Sequence, residues 1–457
     1  MSNLPTNWAH CNLGDLIENI EAGLNVKCEE RPPEKGERGL VKISAVTWGR
    51  FDEMQSKTLP SDAMPDLRKK INQGDLLFSR ANTLELVGAS VIVHDIKKEL
   101  YLSDKVLRLV IADGMKSWVN YGLKTQAMRK AIGAASSGNQ LSMRNISQDK
   151  LKTLELHIAP LAEQRRIADK LDTVLTRVDA VQDRLARITP LLKRFRQSIL
   201  AAATSGRLTV GWRGGRPSEW RYLRADEVCE KVQSGGTPKS GFSANGIPFF
   251  KVYNIVNQAV DFEYRPQYVS KELHDGELRK SKIQPFDVLM NIVGPPLGKV
   301  AIVPEKYDES NINQAITLFR ASSLIKPSWV YIVLCEGAPI RSVLTQTKGS
   351  VGQINISLSQ CRAFEIPVPS LDEQTEIVRR VDLLMGYADR LEARLQAAQT
   401  AAERLTPALL AKAFRGELVP QDPNDEPAAE LLRRLCEARA AAAPAKLKRA
   451  AKKIAPH

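Results

Sequence analysis

The chain has 457 residues, of which 66 are Lys or Arg and 52 are Asp or Glu, so its formal net charge is +14. This length allows several domains, and the basic balance favours an anionic partner, nucleic acid first, although charge that only maintains solubility also explains it. No secretory signal is expected, and the longest apolar run, residues 329–335, is far too short to cross a bilayer, so we expect a cytoplasmic protein with no membrane partner.

Residues 1–155, called head 1 below, carry short β-like runs separated by turns. The runs are residues 40–43, 74–78 and 102–106, and a helical stretch follows at 116–132. Trp8 stands near the start of head 1, and Gly23 follows it fifteen residues later. This pattern predicts an α+β domain in which strands dominate.

Residues 156–213 carry apolar side chains at alternating steps of four and three residues, the pattern of a coiled-coil seam. The seam positions are Ile167, Leu171, Val174, Val178, Val181, Leu185 and Ile188. Pro160 marks the predicted helix start, Gly206 is expected to cap the C-terminal end, and Pro190 predicts a kink or break before it.

Residues 214–365, called head 2, repeat the skeleton of head 1 with a different sequence. Gly235 again follows Trp220 by fifteen residues. The β-like runs recur at 248–252, 286–290 and 312–316, with a helical stretch at 326–344. Two similar scaffolds with different surfaces predict two recognition modules with different targets.

Residues 366–420 repeat the first helix, because residues 154–208 align without a gap on 364–418. The seam continues at Ile377, Val381, Leu384, Leu391 and Leu395. Ser370 and Glu373 predict a capping box, Gly416 a C-cap and Pro407 a second kink or break. We expect an intramolecular antiparallel pair in which residues 167–188 pack against 377–398, with a homo-oligomeric coil as the alternative.

The last segment, residues 421–457, becomes rich in Ala and Lys, which predicts a short helix followed by a flexible basic tail.

Motifs for catalysis are missing from the sequence. The segment 294–299 resembles a phosphate-binding loop only superficially, since it has one residue too few between its glycines and Val300 stands where a hydroxyl is needed. No dinucleotide fingerprint or amino-methyltransferase motif occurs, and the scattered histidines and cysteines predict no metal site. We therefore expect no catalytic residue, although chance carboxylate–lysine combinations leave a nuclease site formally open.

Gly-rich polar loops stand at equivalent places in both heads. Duplex DNA is recognised by Arg, Lys, Asn, Gln and Ser side chains on loops, after phosphate contacts have set the register. The candidates in head 1 are Ser79, Arg80, Asn82, Ser137, Asn139, Gln140 and Arg144. The candidates in head 2 are Lys251, Tyr253, Asn254, Asn291, Lys348, Ser350 and Gln353. An ordinary surface turn explains each residue taken singly, whereas the loops as sets favour contact with DNA.

The two helix starts, PLAEQRRI at 160–167 and SLDEQTEI at 370–377, resemble those of type I restriction–modification specificity subunits. The segments after both helices, at 205–213 and 413–427, resemble that family too. Each motif alone is weak, but their order together with the half-length repeat is specific, and the resemblance covers about residues 5 to 430.

The resemblance implies an α+β fold in which two pseudo-repeated α/β target-recognition domains are separated by two long antiparallel coiled-coil helices. The implied segments are the first recognition domain (1–155), the central helix (156–213), the second recognition domain (214–365), the C-terminal helix (366–420) and the tail (421–457).

The implied function is non-catalytic recognition of a bipartite, asymmetric site in double-stranded DNA, one half-site per domain, with the helices as spacer. The implied partners are two methyltransferase subunits docked on the helices, together with restriction/translocase subunits. This chain would hold no cofactor, while the complex would use S-adenosylmethionine, and ATP with Mg²⁺ for restriction. The alternative is a coiled-coil scaffold whose heads bind proteins.

Overall fold

The structure, a computed structural model, describes residues 4–47, 49–138, 143–346 and 355–442. It divides into two compact units, of which unit 1 comprises Met1–Arg184 with Ala398–His457, and unit 2 comprises Leu185–Ala397. Each unit therefore combines one head with one part of each long helix. The boundaries of the compact units thus differ from those of the five segments expected from the sequence.

Head 1 contains eleven short strands and five short helices within its described residues. The strands are β1 (Ala9–Asn12), β2 (Asn19–Glu21), β3 (Arg38–Val41), β4 (Ser56–Thr58), β5 (Leu76–Ser79), β6 (Ala81–Asn82), β7 (Ser90–Ile92), β8 (Glu99–Tyr101), β9 (Val106–Val110), β10 (Arg144–Asn145) and β11 (Glu155–Ile158). The helices are α1 (Leu13–Leu16), α2 (Ser44–Thr47), α3 (Lys116–Lys124), α4 (Gln126–Ala135) and α5 (Gln148–Lys152), followed by the long α6 (Leu161–Thr204).

Head 2 has most of the corresponding elements in the same order. Its strands are β12 (Arg221–Arg224), β13 (Cys229–Ser234), β14 (Ile247–Phe250), β15 (Ile255–Val256), β16 (Ala259–Val260), β17 (Tyr268–Val269), β18 (Lys282–Ile283), β19 (Val288–Asn291), β20 (Val300–Ile302), β21 (Ser310–Ile312), β22 (Ile316–Ala321) and β23 (Glu365–Val368). Its helices are α7 (Ala225–Val228), α8 (Lys271–Asp275), α9 (Pro327–Glu336), α10 (Ala338–Gln346) and α11 (Leu358–Arg362), followed by α12 (Leu371–Ala413) and a final α13 (Ala428–Ala442). The β15–β16 pair, β18 and α8 are additional in head 2, whose described residues form no α-helix or strand corresponding to α2, β6 and β10.

The sheets of the two heads have matching topology, which confirms the α+β class. The antiparallel sheet β2-β9-β5-β7 corresponds to β13-β22-β19-β20, and the pair β1-β11 corresponds to β12-β23. A second sheet, β4-β3-β8 in head 1 and β17-β14-β21-β18 in head 2, contains one parallel pair in each case, β3 with β8 and β14 with β21. The run at 102–106, expected as a strand, is mostly the connection between β8 and β9.

The helical stretch of each head is divided into two helices at equivalent places. In head 1, Thr125 ends α3 and its hydroxyl caps α4 by accepting a hydrogen bond from the Met128 amide. In head 2, Gly337 adopts φ +86° between α9 and α10. Both divisions lie inside stretches that periodicity alone predicts as single helices.

Each head is held to the long helices by a buried Trp–Glu contact. Trp8 Nε1 donates to Glu163 Oε2 at 3.0 Å, and Trp220 Nε1 donates to Glu373 Oε2 at 2.9 Å. A second tryptophan packs edge-on against each of these, Trp118 at 5.4 Å in unit 1 and Trp329 at 5.7 Å in unit 2. The Glu-Gln repeat of the sequence is therefore the place where a head meets the start of a long helix.

The segment that follows one long helix completes the Trp–Glu contact at the start of the other. In unit 1, Gln421 Nε2 donates to Glu163 Oε1 at 2.6 Å. In unit 2, the Thr209 hydroxyl and the Arg213 guanidinium both donate to Glu373 Oε1. Each buried carboxylate thus receives donors from two distant parts of the chain.

The register expected for the helix pair is wrong. In unit 1, Ile167 and Leu171 share a core with Leu410 and Ala413, and in unit 2 Ile377 and Val381 share a core with Ile199 and Ala203. The start of each helix therefore packs near the end of the other, as antiparallel order requires, rather than residues 167–188 against 377–398. Head 1 residues share the first of these cores and head 2 residues share the second.

The seam is exposed in the middle of α6, whereas α12 keeps Leu395 buried near its middle. Ile167, Leu171 and Val178 are buried on α6, as are Ile377, Val381 and Leu395 on α12, while Val174, Leu185, Leu384 and Leu391 are half-buried. Val181 is 45% and Ile188 37% exposed, contrary to a continuous buried seam. Near Val181, Gln182 donates to the carbonyl of Ala402, where α12 carries alanines too short to cover a neighbouring side chain.

The helix boundaries match the sequence better than the helix interiors. Gly206 and Gly416 adopt φ +73° and +74° after the two long helices, which confirms both C-caps. A kink or a break was predicted at Pro190 and Pro407, and a break is wrong, since both prolines lie inside continuous helix. Only half of the capping box forms, because Ser370 caps the Glu373 amide while the Glu373 carboxylate binds Trp220, Thr209 and Arg213 instead.

Candidate nucleic-acid interface

A concavity of about 420 Å³ lies on head 1 at the carboxyl ends of the parallel strands β3 and β8. Parallel strands end at the same edge of a sheet, so Lys42 after β3 lies near residues 103–105 after β8. The polar side chains that line it include Asn25, Glu30, Lys42, Ser44, Lys57 and Lys105. The sequence separation of these residues shows that the parallel pairing, and no local motif, assembles this surface.

A second concavity, of about 360 Å³, adjoins the first and shares Asp104 and Lys105 with it. Its other lining residues include Arg80 and Asn145, which meet because β6 pairs with β10 in antiparallel register. Arg80 Nε donates to Asn145 Oδ1 at 3.3 Å. The two concavities together form one depression lined by apolar, amide and charged residues, called the head 1 groove below.

The head 1 groove carries more positive than negative charge. Glu30 pairs with Lys57 and, at 3.2 Å, with Lys42, and hydrogen bonds from these two lysines hold the pKa of Glu30 below its usual value. Lys105 and Arg80 have no ion-pair partner within the described part of the chain. Positively charged side chains without an ion-pair partner, next to amide and hydroxyl groups, are suited to contact the phosphates and base edges of DNA.

The equivalent place in head 2 has different chemistry. Lys251 follows β14 as Lys42 follows β3, but its ammonium lies 4.3 Å from the centre of the Phe242 ring instead of beside a carboxylate. Burial lowers the pKa of Lys251. After β21 the Gln314 side chain accepts a hydrogen bond from the Thr237 hydroxyl. The same backbone edge therefore presents an aromatic–cation pair where head 1 presents an ion-pair network.

The second part of the groove also has a counterpart in head 2. The Ile146 amide donates to the Arg80 carbonyl in head 1, and the Ile356 amide donates to the Ile292 carbonyl in head 2, at 3.0 and 2.9 Å. The two backbones are thus equivalent here, yet the position of Arg80 is taken by the buried Ile292. Two sets of side chains on one scaffold are the arrangement expected for recognition of two different targets.

Across residues 4–47, 49–138, 143–346 and 355–442, no group of three or more His, Cys, Asp or Glu side chains is arranged to hold a metal ion. Within the same ranges, no helix combines the length and apolar character needed to cross a bilayer.

Comparison with known proteins gives a consistent family. Residues 217–398 match the family model described as the type I restriction modification DNA specificity domain. The chain is 34% identical over 438 residues to the type I restriction enzyme EcoBI specificity subunit of Escherichia coli, covering 91% of this chain and 87% of that protein. The chain belongs to the family of type I restriction enzyme specificity subunits.

Two solved structures share the fold of this specificity subunit. One, from work on complex assembly and conformational transition of the type I R-M system, has a TM-score of 0.69 and 21% identity, over 91% of this chain and 100% of that chain. The other is the HsdS subunit from Thermoanaerobacter tengcongensis, with a TM-score of 0.55 and 22% identity, over 91% of this chain and 98% of that one. At these identities the likeness establishes the fold.

The candidate residues of head 1 lie close together, but they differ in availability. Arg80 lines the groove, and Ser137 is exposed where its backbone pairs with that of Asn145. Asn82 is half-buried and its side chain accepts from the Thr83 amide, while Arg144 holds its own loop through the Ser136 carbonyl and hydroxyl. Asn139 and Gln140 lie outside the described residues.

For three candidate residues of the specificity subunit, the predicted contact with DNA is wrong because their side chains are buried. Ser79 is fully buried, and Asn254 and Asn291 are each 1% exposed. The Asn254 amide donates to the carbonyls of Asp261 and Tyr264. Asn254 and Asn291 brace loops from inside, and none of the three buried side chains is free to contact DNA.

The Asn291 amide organises the proline turn that resembled a phosphate loop. Its Nδ2 donates to the Pro296 carbonyl at 2.8 Å, and its Oδ1 accepts from the Lys299 amide at 2.7 Å. In head 2, Lys251 and Tyr253 remain at the surface edge, half-buried. Lys348, Ser350 and Gln353 lie outside the described residues.

Several residues that line the head 1 groove of this specificity subunit were not predicted from the sequence. Lys42, Lys57 and Lys105 were not candidates, although Lys42 aligns with the candidate Lys251. The available signal was that alignment, which places a lysine directly after the same strand in both heads. Lys105 depends on the parallel pairing of β3 with β8, which no local pattern indicates.

Proposed function

We propose that this chain is the non-catalytic DNA-recognition subunit of a type I restriction–modification complex and that it recognises a bipartite, asymmetric site, one half-site per head. The observation that carries the proposal is the groove at the end of the parallel strand pair in head 1, together with the equivalent backbone edge of head 2, which carries other side chains. Because the backbones of the two heads are alike at this edge, both heads are expected to approach DNA in the same way. Because their side chains differ, they are expected to prefer different bases.

The long helices are proposed to space the heads and to dock two methyltransferase subunits. On α12, Leu383 and Tyr387 are exposed one turn apart, and the Arg390 guanidinium lies 5.8 Å from the Tyr387 ring. An exposed apolar pair flanked by Arg is typical of the centre of a protein–protein interface. The complex would take S-adenosylmethionine through those subunits, and restriction/translocase subunits with ATP and Mg²⁺ would complete the nuclease.

The test is an exchange of head 2 within the assembled methyltransferase complex. Residues 220–360 are replaced by the corresponding head of another family member, and the methylated sites are mapped by sequencing. We expect one half of the recognised site to change while the other half and the spacer stay the same. A change in both halves would contradict one half-site per head.

The absence of catalysis is tested with the purified chain. Given S-adenosylmethionine and DNA alone it should transfer no methyl group, and adding the methyltransferase subunits should give site-specific methylation. Turnover that persists after rigorous removal of those subunits would contradict the proposal, as would specific methylation by the subunits without this chain.

A further inference from the structure

The loop that follows the first parallel strand borders the groove in head 1 and has an equivalent in head 2. In head 1, Ser44 at the start of α2 lines the groove, and the Asp52 amide in the loop after α2 donates to the Ala45 carbonyl at 3.2 Å. In head 2, the Asp261 amide makes the same bond to the Asn254 carbonyl at 2.8 Å. This matching bond places Tyr253 at the position of Ser44, beside the equivalent of the groove.

The head 2 loop is held rigidly from beneath. The buried Asn254 donates to the carbonyls of Asp261 at 3.1 Å and Tyr264 at 2.9 Å, and its Oδ1 accepts from the Lys251 amide. The Tyr253 hydroxyl donates to the Arg265 carbonyl at 3.2 Å. Bonds from both sides therefore fix the backbone of residues 261–265 before any ligand is present.

The tip of this loop presents an aromatic ring and a free cation. Tyr264 is 49% exposed, and the exposed Arg265 guanidinium lies 5.3 Å from the centre of its ring. Arg265 has φ +54°, a left-handed conformation that is unfavourable for a residue with a side chain. Its guanidinium makes no ion pair and donates no hydrogen bond to any residue that the structure describes.

The charges around the tip favour bases over phosphates as its target. Asp261 and Glu263 are both exposed on the same short loop, and carboxylates oppose the close approach of a phosphate. Base edges offer neutral acceptors instead, and a guanidinium bonds guanine O6 and N7 in pairs. In head 1 the corresponding loop exposes Met54, and Ser44 binds the Gln55 side chain, so the two heads differ in chemistry at this tip.

We propose that residues 261–265 are a specificity-determining loop of head 2, in which Arg265 contacts base edges of the half-site and the Tyr264 ring packs beside it. The inference rests on the proposed function and adds to it the residues that choose the bases. The strained, braced backbone aims the guanidinium in advance, so that little conformational freedom is lost on binding.

The experiment uses the complete methyltransferase complex and a panel of duplexes. The site methylated by the wild-type complex is first mapped, and every base pair of both half-sites is then changed in turn. Binding is measured for the wild type, Arg265→Ala, Arg265→Gly and Tyr264→Ala. Arg224→Ala is the matched control, because Arg224 is exposed in the same head but pairs with Asp226 at 2.8 Å on β12.

We expect Arg265→Ala to weaken binding of the mapped site about tenfold or more and to lose discrimination at one or two positions of the head 2 half-site. Arg265→Gly should behave alike, and since glycine relieves the left-handed strain, its fold is kept. Tyr264→Ala should weaken the same half-site, and Arg224→Ala should match the wild type.

Three results for Arg265→Ala would overturn the inference. The first is equal weakening on all duplexes, which indicates a phosphate contact. The second is altered discrimination in the head 1 half-site, and the third is unchanged discrimination at every position. The proposed function fails separately, if the wild-type complex itself shows no preference among the duplexes.

Discussion

Gly23 and Gly235 occupy equivalent positions at which no side chain fits. A Cβ added at Gly23 would lie 1.7 Å from the Leu102 carbonyl oxygen, and one at Gly235 would lie 2.1 Å from that of Ile312. Since backbone on both sides must move, Gly23→Ala or Gly235→Ala should lower the free energy of unfolding by about 3 kcal/mol or more. Urea denaturation measures this.

Gly211→Ala is the control for that prediction, because a Cβ there meets no atom within 4 Å and its backbone is not left-handed. A midpoint for the Gly235 variant equal to that of the Gly211 variant would show that the close approach is relieved without cost.

The buried carboxyl of Glu163 should make the stability of the folded protein depend on pH. Burial raises its pKa, although hydrogen bonds from Trp8 and Gln421 oppose the shift. The folded state therefore binds a proton more tightly than the unfolded state, so stability falls as pH rises from about 4.5, the ordinary value, to the raised folded pKa. Glu163→Gln cannot titrate, and the stability of the wild type relative to this variant should fall as pH rises, by at most about 1.4 kcal/mol per pH unit.

Thermal unfolding between about pH 4.5 and 8 measures that difference, with Glu376→Gln as control. Arg379 and Arg380 hold the pKa of Glu376 at about 2, so its charge is constant over this range. The Glu376 comparison should change only near pH 4.5, where the unfolded carboxyl still titrates, and should stay flat above about pH 5.5. A Glu163 comparison that rises with pH would reverse the sign argued from burial.

At the scale of elements, α13 packs on head 1 through Ala428 and Leu431, and one of its arginines binds backbone carbonyls there. Arg439 donates to the carbonyls of Gly14 at 2.8 Å and Ile17 at 2.6 Å, which lie at the end of α1. Charged hydrogen bonds to otherwise unsatisfied carbonyls contribute about 1.5–3 kcal/mol. Arg439→Ala should lower the stability of unit 1 by about that amount and speed amide exchange in α1, as measured by hydrogen–deuterium exchange.

Arg433 on the same helix provides the comparison. It pairs only with Glu430 and Glu437 at the exposed surface, where such pairs contribute about 0.5 kcal/mol or less. Equal effects of Arg433→Ala and Arg439→Ala on α1 exchange would mean that the carbonyl contacts do not hold α13 in place.

Elements that are determined by residues near them in the sequence could be predicted, and features that depend on distant residues could not. The two long helices follow from periodicity, and Gly206 and Gly416 mark their ends, because each signal lies within a few residues. Asn254 and Asn291 were wrongly expected at the surface, since an amide that contacts DNA and one that braces a loop from inside have the same sequence. Lys105 joins the groove only through the pairing of β3 with β8, which is set by distant residues.

At the scale of the whole molecule, the helices are proposed to set the spacing between half-sites. One heptad inserted into each helix, after Arg184 and after Ala397, keeps the seam in phase. Seven residues add about 10 Å of helix, and duplex DNA advances about 3.4 Å per base pair, so the recognised spacer should lengthen by about three base pairs. Methylation mapping decides the question.

The half-site sequences should stay the same in that variant, with some loss of affinity because one half-site rotates around the duplex. A single helix extended by a heptad puts the pair out of register and serves as the destabilised control. Full activity of the doubly extended protein on the original spacer would exclude the helices as the spacing element.

The net charge of +14 predicts a strong dependence of DNA binding on salt. If about six phosphates are contacted, affinity should fall about 10³-fold or more between 50 and 200 mM salt through release of counterions. Titration of the complex with specific and random duplexes measures the slope. A slope near zero would favour the scaffold alternative, in which the heads bind protein.

Unit 1 is interrupted in the chain by the whole of unit 2, and this has a consequence for biosynthesis. The core around Trp118 and Ile167 includes Leu410 and Leu431, so the head translated first lacks part of its interior until nearly the entire chain has left the ribosome. At roughly 5–20 residues per second this delay is on the order of ten seconds or more. Unit 2, continuous in sequence, is complete earlier, so the usual order of domain maturation is reversed and the first half of the nascent chain is the part that most needs protection from aggregation.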